Sequence, residues 1–379
     1  MKPVNSKKTT IRILSIVPYQ VFPAVMGGQK GIALFYRYLS QLLPLTVLTT
    51  QSNKPNENYK VISTLSNARW RYLNPLLFFK VRRIAEEQEI THLLFEHPYY
   101  AWLISIFRNF SSKQLIVHSH NIESERFRSI GKWWWKLLWY YEKWAYENAH
   151  FVWFKTIEDE QYAIKLYHLN PERCAVIPYG VELTELPATS ELKKSKETLQ
   201  RLYQILNGDT IILFNGTLSY KPNLDALLSI INEINPLLMD RGLSYKILIC
   251  GKSLPAAYNE LSDYRAMNII YCGFVEDIDL YFKGCDIFLN PLQDGGGIKT
   301  KLIEALGFGK ICISSENGAI GVLPQQTQGR LHIVPDTDWQ AYSDKICSLT
   351  DATMNDNNDF YEVFSWKQIS KKAVAILER

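Results

Sequence analysis

Paired cysteines are missing from this chain of 379 residues. The six that it has, Cys174, Cys250, Cys272, Cys285, Cys312 and Cys347, are scattered and form no Cys-x-x-Cys pair. Most sit in or beside apolar runs that read as strands. That pattern excludes a disulfide framework and fits buried thiols in a reducing compartment. A strong charge of one sign is missing too. The net charge is +4, which excludes a generally cationic nucleic-acid binder and leaves room for a local basic patch. No apolar run reaches the roughly twenty residues a membrane span requires. The polar, basic start MKPVNSKKTT precedes an apolar run too short for a secretory core, so no signal peptide is expected. The expected address is cytoplasmic, with room for peripheral contact at the inner membrane face. No internal repeat period is evident.

What is present is a folded globular composition, 47% hydrophobic and 21% charged, in a chain long enough for two domains. Short β-branched runs alternate with helix-length segments. The first half holds Ile11–Tyr19, Leu45–Thr50, His92–Glu96, Gln114–His120, Phe151–Thr156 and Ala175–Tyr179. The second holds Thr210–Asn215, Lys246–Gly251, Asn268–Gly273, Asp286–Leu292, Lys310–Ser315 and Leu331–Val334. Continuous apolar strands between helices predict parallel sheets covered on both faces. The polar stretch Pro187–Gly208 separates the two sets. The expected domains are 1–186 and 187–364, with 365–379 a closing helix that packs back toward the first. Ser365 and Gln368 have the spacing of a capping box for that helix.

In open sheets of this kind, ligands bind beyond the carboxyl ends of the strands. One such place is Asp294-Gly-Gly-Gly-Ile-Lys-Thr-Lys-Leu-Ile-Glu304. The glycines Gly295, Gly296 and Gly297 fall between a strand and a segment with helical spacing. Glycine lets the backbone approach a ligand closely, and the first amides of a helix have no internal partner. A lysine in the first turn opposes the helix dipole at a cost of roughly 0.3–1 kcal/mol. Lys299 and Lys301 make sense there if an anion is shared between amides and ammonium groups. Glu304, one turn deeper, is placed to accept a diol. Phosphates on amides and lysines with a diol on Glu304 describe a nucleotide diphosphate. The other reading is a glycine turn with solvated lysines and a Lys301–Glu304 surface pair.

This stretch resembles the donor site of the family-four retaining glycosyltransferases, which have the GT-B fold: two doubly wound Rossmann-like α/β domains facing across a cleft. In that family's signature two glutamates are separated by seven residues. The second falls on Glu304, followed by Ala-Leu-Gly-Phe-Gly309, and the first falls on Gly296. One branch of the family has a glycine-rich turn and two basic residues at that place, and Gly295–Glu304 is similar to it. The likeness extends along nearly the whole chain. Gly27 and Gly28 resemble the first glycine loop, with amides toward the donor phosphates; their spacing is not that of a dinucleotide fingerprint. His118-Ser-His120-Asn-Ile-Glu123 is similar to the branch's His-Asn-Val-Glu, which makes His120 the histidine near the transferred sugar or acceptor. His118 and His120 also have the spacing of two metal ligands, but no third ligand stands at a suggestive distance in sequence.

Further matches are weaker. Cys174-Ala-Val-Ile-Pro-Tyr-Gly-Val-Glu182 resembles the stretch leading to the hinge, with Tyr179 in place of an asparagine. Gly216 and Lys221 lie in a loop like that around the leaving diphosphate, where Thr217 replaces the usual arginine. Asn223 reads as a helix cap. Phe274 lies in a loop like that receiving the nucleobase, and Asp277 reads as a helix cap. The resemblance assigns Lys299, Lys301 and His120 to catalysis. It assigns Gly27, Gly28, Gly216, Lys221, Phe274, Gly295, Gly296, Gly297, Ile298, Thr300 and Glu304 to the donor. It implies no metal and no cofactor beyond the nucleotide sugar as substrate. The partners it implies are that donor and a glycan, lipid-linked or protein acceptor, without nucleic acid. The aromatic stretch Trp133–Tyr146 reads first as a core helix and next as a contact for membrane or lipid carrier; Glu142 within it matches a glutamate common in the family. The implied reaction is transfer of a sugar with retention of configuration. Two alternatives within the fold remain, a sugar-nucleotide epimerase and a non-catalytic subunit docked on a membrane enzyme.

Overall fold

The computed structural model describes residues 10–24, 27–349 and 359–379. Residues 1–9 of the polar start, and Val25 and Met26 in the first glycine loop, lie outside them. The chain divides into two compact units. One runs to Pro178 and takes in Ile369–Arg379; the other is Tyr179–Gln368.

The first unit is built on β1 (Ile13–Val17), β2 (Leu45–Thr50), β3 (Lys60–Leu65), β4 (His92–Glu96), β5 (Gln114–Ser119), β6 (Phe151–Phe154) and β7 (Cys174–Val176). Their order is β3-β2-β1-β4-β5-β6-β7, and every pairing is parallel. β1, β2 and β4 are buried along their whole length, as strands covered on both faces must be. The strand the sequence reading omitted is β3. It is an edge strand with only Leu65 fully buried, so its residues make no apolar run. The helices are α1 (Gly27–Leu39), α2 (Leu76–Glu87), α3 (Ala101–Phe110), α4 (Glu123–Ser129), α5 (Trp135–Asn148) and α6 (Ile157–Leu166).

The second unit holds β8 (Thr210–Asn215), β9 (Tyr245–Cys250), β10 (Ile269–Gly273), β11 (Ile287–Asn290), β12 (Ile311–Ser315) and β13 (Leu331–Val334). The order is β10-β9-β8-β11-β12-β13, again all parallel. Its helices are α7 (Thr189–Tyr203), α8 (Lys221–Ser229), α9 (Asn235–Asp240), α10 (Ile278–Gly284), α11 (Thr300–Gly307), α12 (Trp339–Leu349) and α13 (Asp359–Phe364); α14 (Trp366–Leu377) follows and ends in the first unit. In both sheets the strand order reverses beside the first strand, between β1 and β4 and between β8 and β11. Those are the switch points where doubly wound sheets take their ligands.

The first unit ends earlier than residue 186. Tyr179–Leu186 packs against the second unit through close approaches that glycine permits. A methyl group on Gly307 would lie 2.8 Å from Val181, and one on Gly309 would lie 2.6 Å from Leu186. Tyr179 also meets Trp366 edge-on at 5.3 Å. The capping box at α14 is half formed. Gln368 N–H donates to Ser365 Oγ at 3.3 Å, while the Gln368 side chain turns to Glu362 instead of returning. Asp277 caps α10 as expected, accepting from Leu280 N–H at 3.2 Å. Asn223 caps nothing: it lies inside α8 and donates to the Thr217 carbonyl at 3.0 Å. No disulfide joins any of the six cysteines.

Candidate functional site

In the first unit the switch point carries a buried carboxylate shared by two imidazoles. Parallel pairing sets Glu96, the last residue of β4, beside His118 on β5. His120, two residues on, returns to the same side because side chains alternate along an extended chain. Glu96 is fully buried. It accepts from His118 Nδ1 at 3.1 Å, from His120 Nε2 at 2.5 Å and from the Tyr36 hydroxyl. Burial alone would raise its pKa, but the two imidazoles outweigh that and hold it well below the ordinary range. Burial also lowers both histidines, His118 to about 4. The trio is therefore one carboxylate with two neutral imidazoles donating to it. Lys155 beneath is lowered by burial to about 8, so it remains a cation near neutral pH and balances Glu96.

With its Nε2–H committed to Glu96, His120 keeps a lone pair at Nδ1. Its ring stacks on His97 at 4.6 Å, and His97 stacks on Tyr99 at 5.0 Å. His97 has φ +65°, a strained conformation for a residue other than glycine. Its Nδ1 lies 3.4 Å from Glu123, without the alignment of a hydrogen bond. Burial would raise the Glu123 carboxyl, but His97 and Arg126 overcome that and depress it. The loop carrying His120 is anchored from α5. Buried Glu142 accepts from the backbone N–H of Glu123 and of Ser124 at 2.9 and 3.0 Å, and from the hydroxyls of Ser124, Tyr146 and Tyr167.

Glu96 is the third ligand that sequence spacing did not reveal. The ligand atoms of Glu96, His118 and His120 lie within 4.8 Å of one another, and these residues could hold a metal ion. In the structure the 2.5 Å contact carries a proton that a cation would have to displace.

In the second unit the loops after β8 and β11 flank the switch point. Gly295 and Gly297 have φ +101° and +70°, which glycine adopts without strain. Gly296 does not share that conformation, so the backbone does not exclude a side chain where the family's first glutamate falls. Lys299 is the N-cap of α11 and offers no side-chain acceptor to the first amides. Its ammonium turns back on the loop, donating to the carbonyls of Gly295 at 2.7 Å and Gly297 at 3.0 Å. Thr300 and Ile298 are partly buried beside it.

Lys301 donates to Glu304 at 2.7 Å, and the Tyr179 hydroxyl donates to the other Glu304 oxygen at 3.0 Å. The Lys301–Glu304 pair is thus real, and it is partly buried rather than superficial, with the two side chains 32% and 17% exposed. Sequence reading placed Tyr179 in the stretch leading to the hinge and did not foresee its bond to Glu304.

Gly216 is required by packing, since a methyl group there would lie 2.7 Å from Asn223. Lys221 is 80% exposed and pairs with Asp225 one turn on. Phe274 is an exposed ring after the Gly273 turn. Gly27 and Gly28 open α1 in the first unit, and a methyl group on Gly28 would meet nothing within 4 Å.

Residues 25–185 match the family described as Glycosyltransferase Family 4, and residues 209–352 match Glycosyl transferases group 1. Across these two segments the chain is similar to glycosyltransferases of family four and of group 1. The chain is 24% identical over 258 residues to an uncharacterised 44.6 kDa protein of the cps region of Klebsiella pneumoniae. That match spans 64% of this chain and 61% of the relative, less than two thirds of its length. Among solved structures, HepE of Anabaena in complex with UDP aligns with a TM-score of 0.70 at 14% identity, over 97% of this chain and 99% of that one. A glycosyltransferase of Rickettsia africae aligns at 0.69 with 15% identity over 97% and 98% of the two chains. Sucrose-phosphate synthase of Thermosynechococcus elongatus aligns at 0.68 with 15% identity over the same shares. At such identities the likeness establishes the GT-B fold and nothing finer.

Proposed function

We propose that the protein transfers a sugar, with retention of configuration, from a nucleotide diphosphate donor to a glycan or lipid-linked acceptor. The observation that carries this is the glycine turn at the switch point of the second sheet, with an uncapped helix start and Lys299, Lys301 and Glu304 around it. Breaking the donor's glycosidic bond puts negative charge on the departing diphosphate and oxocarbenium character on the sugar. Dipoles and cations already in place stabilise that charge without a metal ion.

The amides at the start of α11 take a phosphate. Lys299 holds the turn by its carbonyls, so its charge sits at the turn without swinging in. Lys301 is divided between Glu304 and the diphosphate. Glu304 accepts the ribose diol, keeping Tyr179 as the donor that orients it. In the first unit His120 Nδ1 accepts a hydroxyl of the sugar or acceptor. Support comes from the family matches and from HepE, whose solved complexes include UDP-glucose.

The test is titration calorimetry with a panel of nucleoside diphosphates and their nucleosides. Lys301→Ala should weaken the preferred diphosphate by about tenfold and its nucleoside hardly at all. Equal loss for both would remove the phosphate role, and no binding by any nucleotide would remove the enzyme reading.

A further inference from the structure

The carboxyl edge of the first sheet carries a second concavity, away from the Glu96 trio. It is a groove of about 480 Å³ lined in part by Gln51, Ser66, Trp70, Asn74, Leu76 and Lys80. Gln51 directly follows β2 and Ser66 directly follows β3, so the groove lies at the ligand-binding end of the sheet.

Its wall is a half-exposed indole: Trp70 has 55% of its surface open. The single helical turn that bears it, Arg69–Tyr72, is tied down by the next residue. Arg71 Nε donates to the Pro18 carbonyl at 2.6 Å, and Nη1 donates to the Asn67 carbonyl at 2.6 Å. The Arg71 guanidinium also lies 4.5 Å from the Tyr72 ring centre. A flat apolar face held on a rigid turn, above amide, hydroxyl and ammonium groups, matches a pyranose ring. Such a ring presents C–H groups on one face and hydroxyls around its rim. Lys80 donates to the Thr64 carbonyl at 3.0 Å, which fixes its ammonium at the groove.

Leu76 links this polar concavity to an apolar strip. Leu73, Leu76 and Phe79 are 78%, 67% and 63% exposed, three large side chains in a short span that nothing among the described residues covers. Exposed patches of this kind mark a surface for something apolar. A free sugar would leave the strip bare, and a plain lipid would leave the amides and hydroxyls unmatched. Ring contacts link the turn that bears Trp70 to the histidine cluster. Tyr72 packs edge-on against Tyr99 at 5.7 Å, and Tyr99 begins the stack that runs through His97 to His120.

We propose that the groove holds the sugar of an amphiphilic acceptor, a glycan carried on a lipid, with its ring on Trp70 and its chain along Leu73, Leu76 and Phe79. This rests on the transferase reading and names the acceptor class for it.

The experiment is saturation-transfer NMR and calorimetry on the full chain with octyl glucoside below its micelle concentration. Octyl glucoside should bind at least about tenfold more tightly than glucose. Trp70→Ala should weaken it by about tenfold, while Phe110→Ala, an exposed ring outside the groove, should leave it unchanged. Equal binding by glucose, unaltered binding in Trp70→Ala, or no binding of octyl glucoside would each overturn the proposal. The same samples are titrated with nucleoside diphosphates. Nucleotide binding with a blank groove refutes this inference alone, whereas absence of nucleotide binding refutes the transferase reading.

Discussion

At Glu96 a single carboxylate sets the state of two histidines. Its two oxygens take one N–H each, so His120 presents a lone pair rather than a proton to whatever meets its Nδ1. Glu96→Gln keeps the shape but substitutes a donor for one acceptor. One imidazole must then change tautomer or lose its bond. The expected outcome is a loss of about a hundredfold in donor turnover, with a changed His120 tautomer in imidazole nitrogen shifts. Unchanged shifts would show that Glu96 does not set the tautomer.

A further acid, half-buried Asp159 near the start of α6, is pushed up by burial to about 7 from an ordinary 3.8. An acid raised in the folded state favours folding below its unfolded pKa, and that contribution is lost as pH climbs through the folded value. Asp159 therefore contributes most below about pH 4 and least above about pH 7. Asp159→Asn should flatten that part of the stability profile and raise the melting temperature by a few degrees at alkaline pH. A pH slope identical to that of the parent in denaturant titrations would show that Asp159 is ionised normally in the fold.

Helix α5 shows how one element serves two tasks. Its inner side carries Glu142, Ala145 and Tyr146, all buried, and Glu142 anchors the His120 loop. Its outer side is not core, contrary to the reading its composition suggested. Trp133, just before the helix, is 83% exposed, and Leu137, Tyr140 and Trp144 are 67%, 69% and 39% exposed. Their spacing of four, three and four puts them along one face, with Lys132 and Lys136 among them. Among the described residues no helix is long and apolar enough to cross a membrane. We propose that this face rests on an anionic membrane surface, indoles at the interface and ammonium groups toward headgroups. Replacing Trp133 and Leu137 together by Glu should reduce co-sedimentation with phosphatidylglycerol vesicles by about tenfold, without lowering the melting temperature. Undiminished co-sedimentation would dismiss the membrane role.

For the molecule as a whole, the last eleven residues return the chain to the unit in which it began. Ile369, Ala373, Ile376 and Leu377 are buried there at 7% exposure or less. Each large side chain among them is worth roughly 1.5–3 kcal/mol. Truncation after Gln368 should therefore destabilise the first unit by at least about 3 kcal/mol and leave the second nearly unchanged. Calorimetry should then show one transition moved down and one in place. A common shift of both would mean that the segment does not belong to the first unit alone.

The two parallel sheets were legible from twelve apolar runs, because strands buried on both faces leave continuous apolar stretches. The edge strand β3 was not, because half-exposed residues leave no such trace. The glycine turn and its lysines were legible as a unit because they are consecutive. The bonds of Glu96 to His118 and His120 and of Tyr179 to Glu304 were not visible, since each residue meets its partner only through pairing or packing across long stretches of chain. The sequence by itself determined which segments form the buried strands and where the glycine turn leads into a helix, since periodicity and glycine act locally. Only the tertiary structure decided that Glu96 lies between two histidines, that Tyr179 reaches Glu304, and that one side of the aromatic stretch faces outward. Those depend on sheet register and on which helix face a neighbour covers, and neither is encoded within any one segment.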